Sequence, residues 1–306
     1  MKTIMTAKKN TNIKKFDNYL FDLYGTLIDI RTNEDSDKLW NTIRILYGYE
    51  GAIYTNEELK DMYHFFIMEE MNIIRKKNPN RKHIDVDLGK VFKKLFEYKK
   101  INKISEDKIK NLATTFRSIS TENITLYDGV YELLDFLKEN KKKIFLLSNA
   151  QSLFTLNELK MFGLDKYFDD IFISSDYEVS KPDEEFFMIP IKKYNLDTNK
   201  TVMIGNDYLS DMQGASKVKI HGIYIHQEIS TPVDNPDKII ADCKIMSGVF
   251  KNIKLFLEDL KKYKRNKYKR NKYERNKYER NKYERNKYIK VNTQIKKAHT
   301  ETGINL

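Results

Sequence analysis

Asp22 interrupts the run Tyr-Leu-Phe-Asp-Leu-Tyr-Gly-Thr-Leu-Ile-Asp at residues 19–29. Three apolar or aromatic residues lead into the acid, and a Gly-Thr turn follows it. Strong β-formers that stop at Asp-x-x-Gly-Thr predict a buried strand ending in a loop. In an open α/β sheet, ligands sit outside the carboxyl ends of the strands. An aspartate there is a candidate nucleophile. The other reading is a turn or N-cap aspartate, a common role beside glycine.

Three later segments bear on that choice. Residues 143–149 read Lys-Ile-Phe-Leu-Leu-Ser-Asn, a second apolar strand ending in a hydroxyl, Ser148, and an amide, Asn149. Ser180-Lys181-Pro182-Asp183 sets a lysine at a turn before a helix-like run over 184–194. A third apolar strand covers 201–204, and Gly205-Asn206-Asp207 then opens a polar loop, with Asp211 four residues beyond Asp207. Each segment taken singly has a bland reading. Lys181 could be a solvated turn lysine, and Asp211 could cap a helix over 212–217. The order acid, hydroxyl, lysine, paired acids, each at a predicted strand end or in the loop beyond one, is hard to obtain by chance.

This ordered set resembles the haloacid dehalogenase superfamily of hydrolases. The resemblance covers residues 16–262. It rests on Asp22-x-x-Gly25-Thr26, the strand ending in Ser148-Asn149, Lys181-Pro182, and Gly205-Asn206-Asp207 through Asp211 to Gly214-Ala215. It implies an α/β fold: a Rossmann-like parallel-sheet core with a helical cap inserted after the first motif. It also implies roles. Asp22 would attack phosphorus and form an aspartyl intermediate, with Lys181 pairing Asp22 and the phosphoryl oxygens. Gly25, Thr26, Ser148 and Asn149 would hold phosphate. Mg²⁺, which prefers oxygen ligands, would be held by Asp22, the backbone carbonyl of Tyr24, and ligands drawn from Asn206, Asp207 and Asp211. Which of those three binds directly stays open, because relatives often carry Asp where Asn206 stands.

Tyr24 departs from the pattern. Phosphatases of the family usually carry a second Asp two residues after the nucleophile, to protonate the leaving oxygen and later activate water. Tyrosine, with a reference pKa near 10, is a poor base near neutral pH. The family's haloacid dehalogenases carry Tyr here, because a leaving halide needs no proton. Tyr24 therefore points to a dehalogenase-type reaction or a slow phosphatase, and the acids after Gly205 point to a metal-dependent phosphatase of a small phosphorylated metabolite. A non-catalytic protein that binds phosphate and Mg²⁺ is a third class.

The chain between these motifs must position them. Asp22 and Ser148 are separated by far more residues than a direct βα crossover needs. The intervening residues carry apolar stripes at helical spacing. Thr55-Asn56-Glu57-Glu58 is a capping-box pattern. After it come Leu59, Met62, Tyr63, Phe66, Ile67, Met71 and Ile74. Val91, Phe92, Leu95 and Phe96 form a second stripe, and Ile109, Leu112, Ala113 and Phe116 a third. Their plain reading is helix-bundle core. From residue 125 the chain alternates again: helix 129–138, strand 144–147, helix 155–162, strand 171–174, helix 184–194 with Pro190 inside it, strand 201–204, helix 211–217, strand 222–225 and a last helix over 249–263. Alternation of this kind predicts a parallel sheet. The expected domains are residues 16–30 with 121–262 as core, 31–120 as cap, and 263–306 as tail.

Net charge is +12 over 306 residues, which invites a nucleic-acid reading. Residues 261–306 hold 17 of the 56 basic and four of the 44 acidic residues, leaving 39 and 40 to the first 260. The body is near neutral and the basicity belongs to the tail. There Arg-Asn-Lys-Tyr recurs at 265, 270, 275, 280 and 285. A five-residue period spirals round a helix and builds no apolar face. The tail reads as disordered or an extended solvated helix, or as a polyanion contact in which basic residues alternate with stackable tyrosines. Cys243, the only cysteine, excludes an intrachain disulfide and a cysteine metal cluster and reads as a core thiol. The polar N-terminus and the lack of a long apolar run argue against a signal peptide and a membrane span, so a cytoplasmic protein is expected.

Overall fold

The computed structural model describes residues 5–7 and 16–246. The last expected helix and the repetitive tail lie outside them. In chain order the elements are β1 (Met5–Ala7), β2 (Asn18–Phe21), β3 (Ile28–Thr32), α1 (Asp37–Tyr49), α2 (Asn56–Lys77), α3 (Leu88–Tyr98), α4 (Glu106–Ser120), β4 (Thr121–Leu126), α5 (Val130–Glu139), β5 (Lys143–Ser148), α6 (Ser152–Met161), β6 (Asp170–Ile173), α7 (Ser174–Tyr177), α8 (Glu184–Tyr194), β7 (Thr201–Gly205), a π-turn at Tyr208–Met212, α9 (Gln213–Lys217), β8 (His221–Ile225) and β9 (Cys243–Ile245).

Seven strands make one sheet in the order β1-β9-β8-β7-β2-β5-β6. Six run parallel, and β1 lies antiparallel on the edge against β9. The strands expected from their continuous apolar runs, β2, β5 and β7, stand side by side at its centre. They read as unbroken apolar runs because both sheet faces are covered, and every residue of β2 and β7 is buried. Register fixes what emerges at their ends. Phe21 lies opposite Leu146 on β5 and Ile204 on β7, so Asp22, Ser148 and Asn206 leave neighbouring strands at one sheet edge. Cys243 sits buried in β9, and burial pushes its thiol up to about 11. No helix among the described residues is long and apolar enough to cross a membrane.

β3 and β4 form a separate antiparallel pair. They are the two places where the chain passes between the sheet and the four helices α1–α4. α2, α3 and α4 start where side chains satisfy their free amides: Thr55 accepts from Glu58 N at 3.1 Å, Asp87 from Gly89 N at 2.8 Å, and Ser105 from Lys108 N at 3.3 Å. The three predicted stripes converge on one core, with Leu59, Tyr63, Phe66, Ile74, Val91, Phe92, Leu95, Phe96, Ile109, Leu112, Ala113 and Phe116 buried and Met62, Ile67 and Met71 packed against them. Trp40, Tyr63, Phe92 and Phe116 pack ring on ring at centroid distances of 5.3–6.0 Å. Full burial of a side chain the size of Phe116 contributes about 2–3 kcal/mol. This core reaches the sheet layer through α6, where Phe154 stacks on Phe116 at 6.3 Å.

α6 begins three residues earlier than its sequence pattern suggests. Its first turn has no side-chain cap, so nothing local marks the start. The expected helix 211–217 is split into the π-turn and α9, and Asp207 rather than Asp211 caps it.

Candidate active site

Asp22 follows the last residue of β2, and its amide donates to the Ile204 carbonyl at 3.0 Å. The neighbouring strand thus holds its backbone, and its side chain is buried. Oδ1 accepts from Lys181 Nζ at 2.7 Å and from Ser148 Oγ at 3.2 Å. Thr26 Oγ1 stands 3.2 Å from Oδ2. The turn needs glycine at Gly25. Its φ is +78°, and a Cβ there would lie 2.2 Å from the Asn206 amide.

Lys181 is only 4% exposed, and its Nζ also reaches Asp211 Oδ1 at 2.6 Å. The solvated-turn reading of this lysine does not hold. Burial works against the ammonium, but the charges of Asp211 and Asp22 outweigh it and raise the lysine's pKa. Asp211 is wholly buried. Burial above all, with Asp22 adding to it and Lys181 opposing, pushes its carboxyl up to about 7. Its Oδ2 accepts from the Asp207 amide at 3.0 Å. Gly205 allows this approach, since a Cβ there would meet Asp211 Oδ2 at 2.2 Å.

Three of the expected site residues meet other protein groups in the structure. Asn149, expected on phosphate, makes both amide bonds to the Lys181 backbone, donating to its carbonyl at 3.0 Å and accepting from its amide at 2.8 Å. It locks the lysine loop instead. Asp207, a metal candidate, turns its Oδ1 onto the amides of Leu209 and Ser210 as an N-cap. Asp211, another metal candidate, uses its two oxygens on Lys181 and Asp207 N. Among the described residues, no group of three or more His, Cys, Asp or Glu side chains is arranged to hold a metal ion.

Asn206 is different. One arm of its buried carboxamide lies 3.0 Å from the Tyr24 carbonyl, 3.3 Å from Asp22 Oδ2 and 3.1 Å from Thr26 Oγ1. As the side chain stands, that arm is Oδ1, and the other arm donates to Ser230 Oγ at 3.3 Å. Oxygens facing oxygens repel unless something positive lies among them. Turning the amide over supplies N–H donors to Asp22 Oδ2, the Tyr24 carbonyl and Thr26 Oγ1 and satisfies both arms. A carboxylate, a carbonyl and an amide oxygen are the hard donors that Mg²⁺ takes. The residues present fit such an ion through Asp22, Tyr24 and Asn206.

The Tyr24 side chain leaves this cluster for α6. Its hydroxyl donates to Glu158 Oε2 and lies 3.0 Å from Thr155 Oγ1. Arg117, at the end of α4, donates from Nε to Glu158 Oε1 at 2.6 Å, and its guanidinium lies 5.4 Å over the Tyr24 ring. Burial and the Glu158 charge hold the Tyr24 phenol well above its ordinary value, so it stays neutral and a donor.

The family model described as haloacid dehalogenase-like hydrolase matches residues 19–225, more than half of the chain. The chain belongs to the haloacid dehalogenase-like hydrolases. The pyrimidine 5′-nucleotidase PynA of Streptococcus pneumoniae is 28% identical over 129 residues, 41% of this chain and 54% of that protein. The pyrophosphatase PpaX of Listeria monocytogenes serotype 4a is 27% identical over 195 residues, 63% of this chain and 76% of its own. With several of its curated relatives, the chain's match spans only about half of their length. Among solved structures, a 2-haloacid dehalogenase from Pseudomonas syringae pv. Tomato DC3000 superposes with a TM-score of 0.52 at 15% identity, covering 78% of this chain and 98% of that one. A HAD phosphatase from Thermococcus onnurineus does so with a TM-score of 0.50 at 18% identity, covering 79% and 98%. A dehalogenase and a phosphatase share this haloacid dehalogenase-like fold, so the fold leaves the reaction undecided.

The haloacid dehalogenase-like site has supports that sequence reasoning missed. Residues 81–88, between α2 and α3, bind both loops that carry site residues. The His83 carbonyl accepts from Ser180 N at 3.0 Å, and Lys82 N donates to Asp183 at 3.1 Å. Arg81 donates to Glu185 Oε2 at 2.8 Å and to the Tyr177 carbonyl at 3.0 Å. Asp85 accepts from Ser174 Oγ and from Gln151 Nε2, and burial raises its pKa. Nothing periodic announces Asp85. For Glu158 a faint signal exists: Thr155 and Glu158 stand three apart on a helix face whose neighbours Phe154 and Leu159 are buried.

Proposed function

We propose that the chain is a Mg²⁺-dependent phosphatase acting on a small phosphorylated metabolite through an aspartyl-phosphate at Asp22. The observation that supports this reading is the cluster at the end of β2, where the Asn206 carboxamide lies within 3.0–3.3 Å of the Tyr24 carbonyl and Asp22 Oδ2. The phosphatase names of the curated relatives support it.

In this reading Asp22 Oδ2 is a ligand oxygen, and Oδ1 is oriented by Lys181 and Ser148. Lys181 offsets the repulsion between the nucleophile and an anionic substrate. Thr26 and Ser148 offer hydroxyls to phosphoryl oxygens, and Asn149 keeps Lys181 in place. Mg²⁺ bound at Asp22, the Tyr24 carbonyl and Asn206 would neutralise phosphate charge. Residues 31–120 serve as the cap over the site and supply specificity, residues 16–30 and 121–262 form the core, and the body works in the cytoplasm. The basic residues from 263 onward serve as a polyanion contact.

Tyr24 favours a second reading, a metal-independent 2-haloacid dehalogenase-type hydrolase, since no carboxylate stands two residues after Asp22. A non-catalytic phosphate and Mg²⁺ binder is the remaining class. A paired assay tests all three. Phosphate release from an aryl phosphate is measured with and without Mg²⁺, and halide release from 2-haloacids is measured in EDTA. Mg²⁺-dependent phosphate release, weak on alkyl phosphates, is expected. Halide release in EDTA without phosphatase activity would replace the first reading by the second, and silence in both arms would favour the binder.

A further inference from the structure

Asp85 is a carboxylate of the 81–88 segment whose bonds run toward the site through other residues. Its Oδ1 accepts from Val86 N at 2.8 Å and from Gln151 Nε2 at 3.3 Å, and its Oδ2 accepts from Ser174 Oγ. All three donors are neutral, so Asp85 supplies hydrogen-bond geometry rather than a counter-charge. Ser174 follows β6, and Ser148 ends β5 opposite Ile173. The two strands therefore release Ser174 and the 149–151 turn side by side. Ser174 Oγ accepts from the Ala150 amide at 2.8 Å and lies 3.2 Å from the Ala150 carbonyl. Gln151 is tied to the same segment as Asp85: its Nε2 donates to the Val86 carbonyl at 2.8 Å, and its Oε1 accepts from Leu88 N at 3.0 Å. Asn149 stands between Ala150 and Ser148, whose hydroxyl meets Asp22, and holds the Lys181 backbone by two bonds. Hydrogen bonds and one short turn thus connect Asp85 to Lys181.

Resting on the phosphatase reading, we propose that Asp85 is a positioning residue for the reaction: it fixes the 149–151 turn, and through Asn149 that turn fixes where Lys181 presents its ammonium. The ammonium must face Asp22 and a phosphoryl oxygen at once. Displacing such a group by about 1 Å costs on the order of 10²-fold in rate. Without Asp85, Gln151 Nε2 and Ser174 Oγ lose an acceptor, and the turn that carries Asn149 loses its tie to the helical segment on that side. His83, two residues before Asp85, grips the lysine loop directly, its carbonyl accepting from Ser180 N at 3.0 Å. One segment therefore holds Lys181 both through its own loop and through its Asn149 partner. Asparagine at position 85 keeps the pattern. Its carbonyl oxygen can take Val86 N and Gln151 Nε2, and its amide can donate to Ser174 Oγ, whose own proton then turns to the Ala150 carbonyl. A hydroxyl has one proton and two lone pairs, and this arrangement uses all three.

The test uses the full chain with p-nitrophenyl phosphate and Mg²⁺, and inorganic phosphate as a competing ligand, in wild type, Asp85→Ala, Asp85→Asn and Ser174→Ala. Asp85→Ala should raise KM and the phosphate inhibition constant about tenfold, the lower end for a lost hydrogen bond to a charged group, and should lower kcat as well. A merely structural lesion removes part of the molecules from the folded pool. It lowers kcat alone and leaves KM and the inhibition constant of the folded remainder unchanged. Asp85→Asn should restore both constants to near wild type. Ser174→Ala cuts the same link at a buried serine without removing a charge, and guards against a folding failure of Asp85→Ala. It should raise both constants in the same direction, and the double variant should be no worse than Ser174→Ala alone, because the two residues act in one chain of contacts. Wild-type KM and phosphate inhibition in Asp85→Ala overturn this proposal alone, as does an asparagine variant that fails like the alanine one, or additive losses in the double variant. A wild type that releases no phosphate overturns the phosphatase reading first and this proposal with it.

Discussion

Lys181 and Asp22 are 159 residues apart in the chain, yet Lys181 Nζ lies 2.7 Å from Asp22 Oδ1. Their side chains are 2% and 11% exposed. The ammonium is shared with Asp211, so one lysine answers two carboxyl groups in a nearly dry site. The Asp22 oxygens are divided by this contact: one faces the lysine, and the other faces Asn206 and Thr26.

Asp22→Asn removes the nucleophile and keeps its shape. Turnover should fall by roughly 10³-fold or more, as when a covalent nucleophile is deleted elsewhere. Aryl phosphate and 2-haloacid assays, with circular dichroism confirming the fold, measure this. Retained activity in either assay would remove Asp22 from the chemistry.

Asn206→Asp adds a second carboxylate to the oxygen set around Asp22 and Tyr24. Affinity for divalent oxygen-seeking cations rises with ligand charge. Titration calorimetry with Mg²⁺ should show tighter binding by about tenfold or more in the variant, an estimate from the added charge in a buried setting. Equal affinity would mean that the cation, if it binds, does not touch residue 206.

Asp211 should leave a signature in the pH dependence of stability. Its carboxyl stands at about 7 against an ordinary value of 3.8, with burial as the main cause. The folded chain therefore holds a proton that the unfolded chain has already given up. The stability contributed by this group is fully present below the unfolded value and declines as pH rises toward the folded one. Asp211→Asn cannot titrate. The melting-temperature advantage of wild type over this variant should shrink between about pH 4 and about pH 7. A widening gap would contradict the assignment.

Tyr24→Asp restores the acid that phosphatases of the family carry two residues after the nucleophile. Activity on alkyl phosphates should rise, by up to roughly 10²-fold if the new carboxylate is well placed, while aryl phosphates change little. The variant also gives up the ring beneath Arg117 and the bond to Glu158, so a lower melting temperature should accompany the gain. A folded variant with unchanged activity on both substrate classes would mean that another group already protonates the leaving oxygen.

The sheet centre and the helical segment were legible in the sequence for a simple reason: both are local patterns. β2, β5 and β7 are covered on both faces, so each reads as an unbroken apolar run. The stripes through Tyr63, Phe92 and Phe116 repeat at helical spacing because one side of each helix is buried. The candidates Asp22, Ser148, Lys181 and Asp211 follow from their places at or beyond strand ends, and the structure gathers all four. β1 and β9 are three residues each, too short for any period to show, and β3 is recognisable only beside β4.

What tertiary structure alone decided is where the polar side chains point. The sequence does not rank Asn206, Asp207 and Asp211, which share one loop. Their orientations come from the π-turn, which gives Asp207 free amides to cap, and from bare Gly205, which lets Asp211 close on Lys181. Asn149 turns to the Lys181 backbone because β5 delivers it beside a loop 32 residues further on. Tyr24, Arg117 and Glu158 belong to three segments with no common period, so no window of sequence contains their contact. A hydrogen-bonded charge network is set by the final positions of atoms from distant segments, and burial penalises every member left unpaired. Apolar periodicity shows which faces turn inward, and only the packed fold shows which buried polar groups meet.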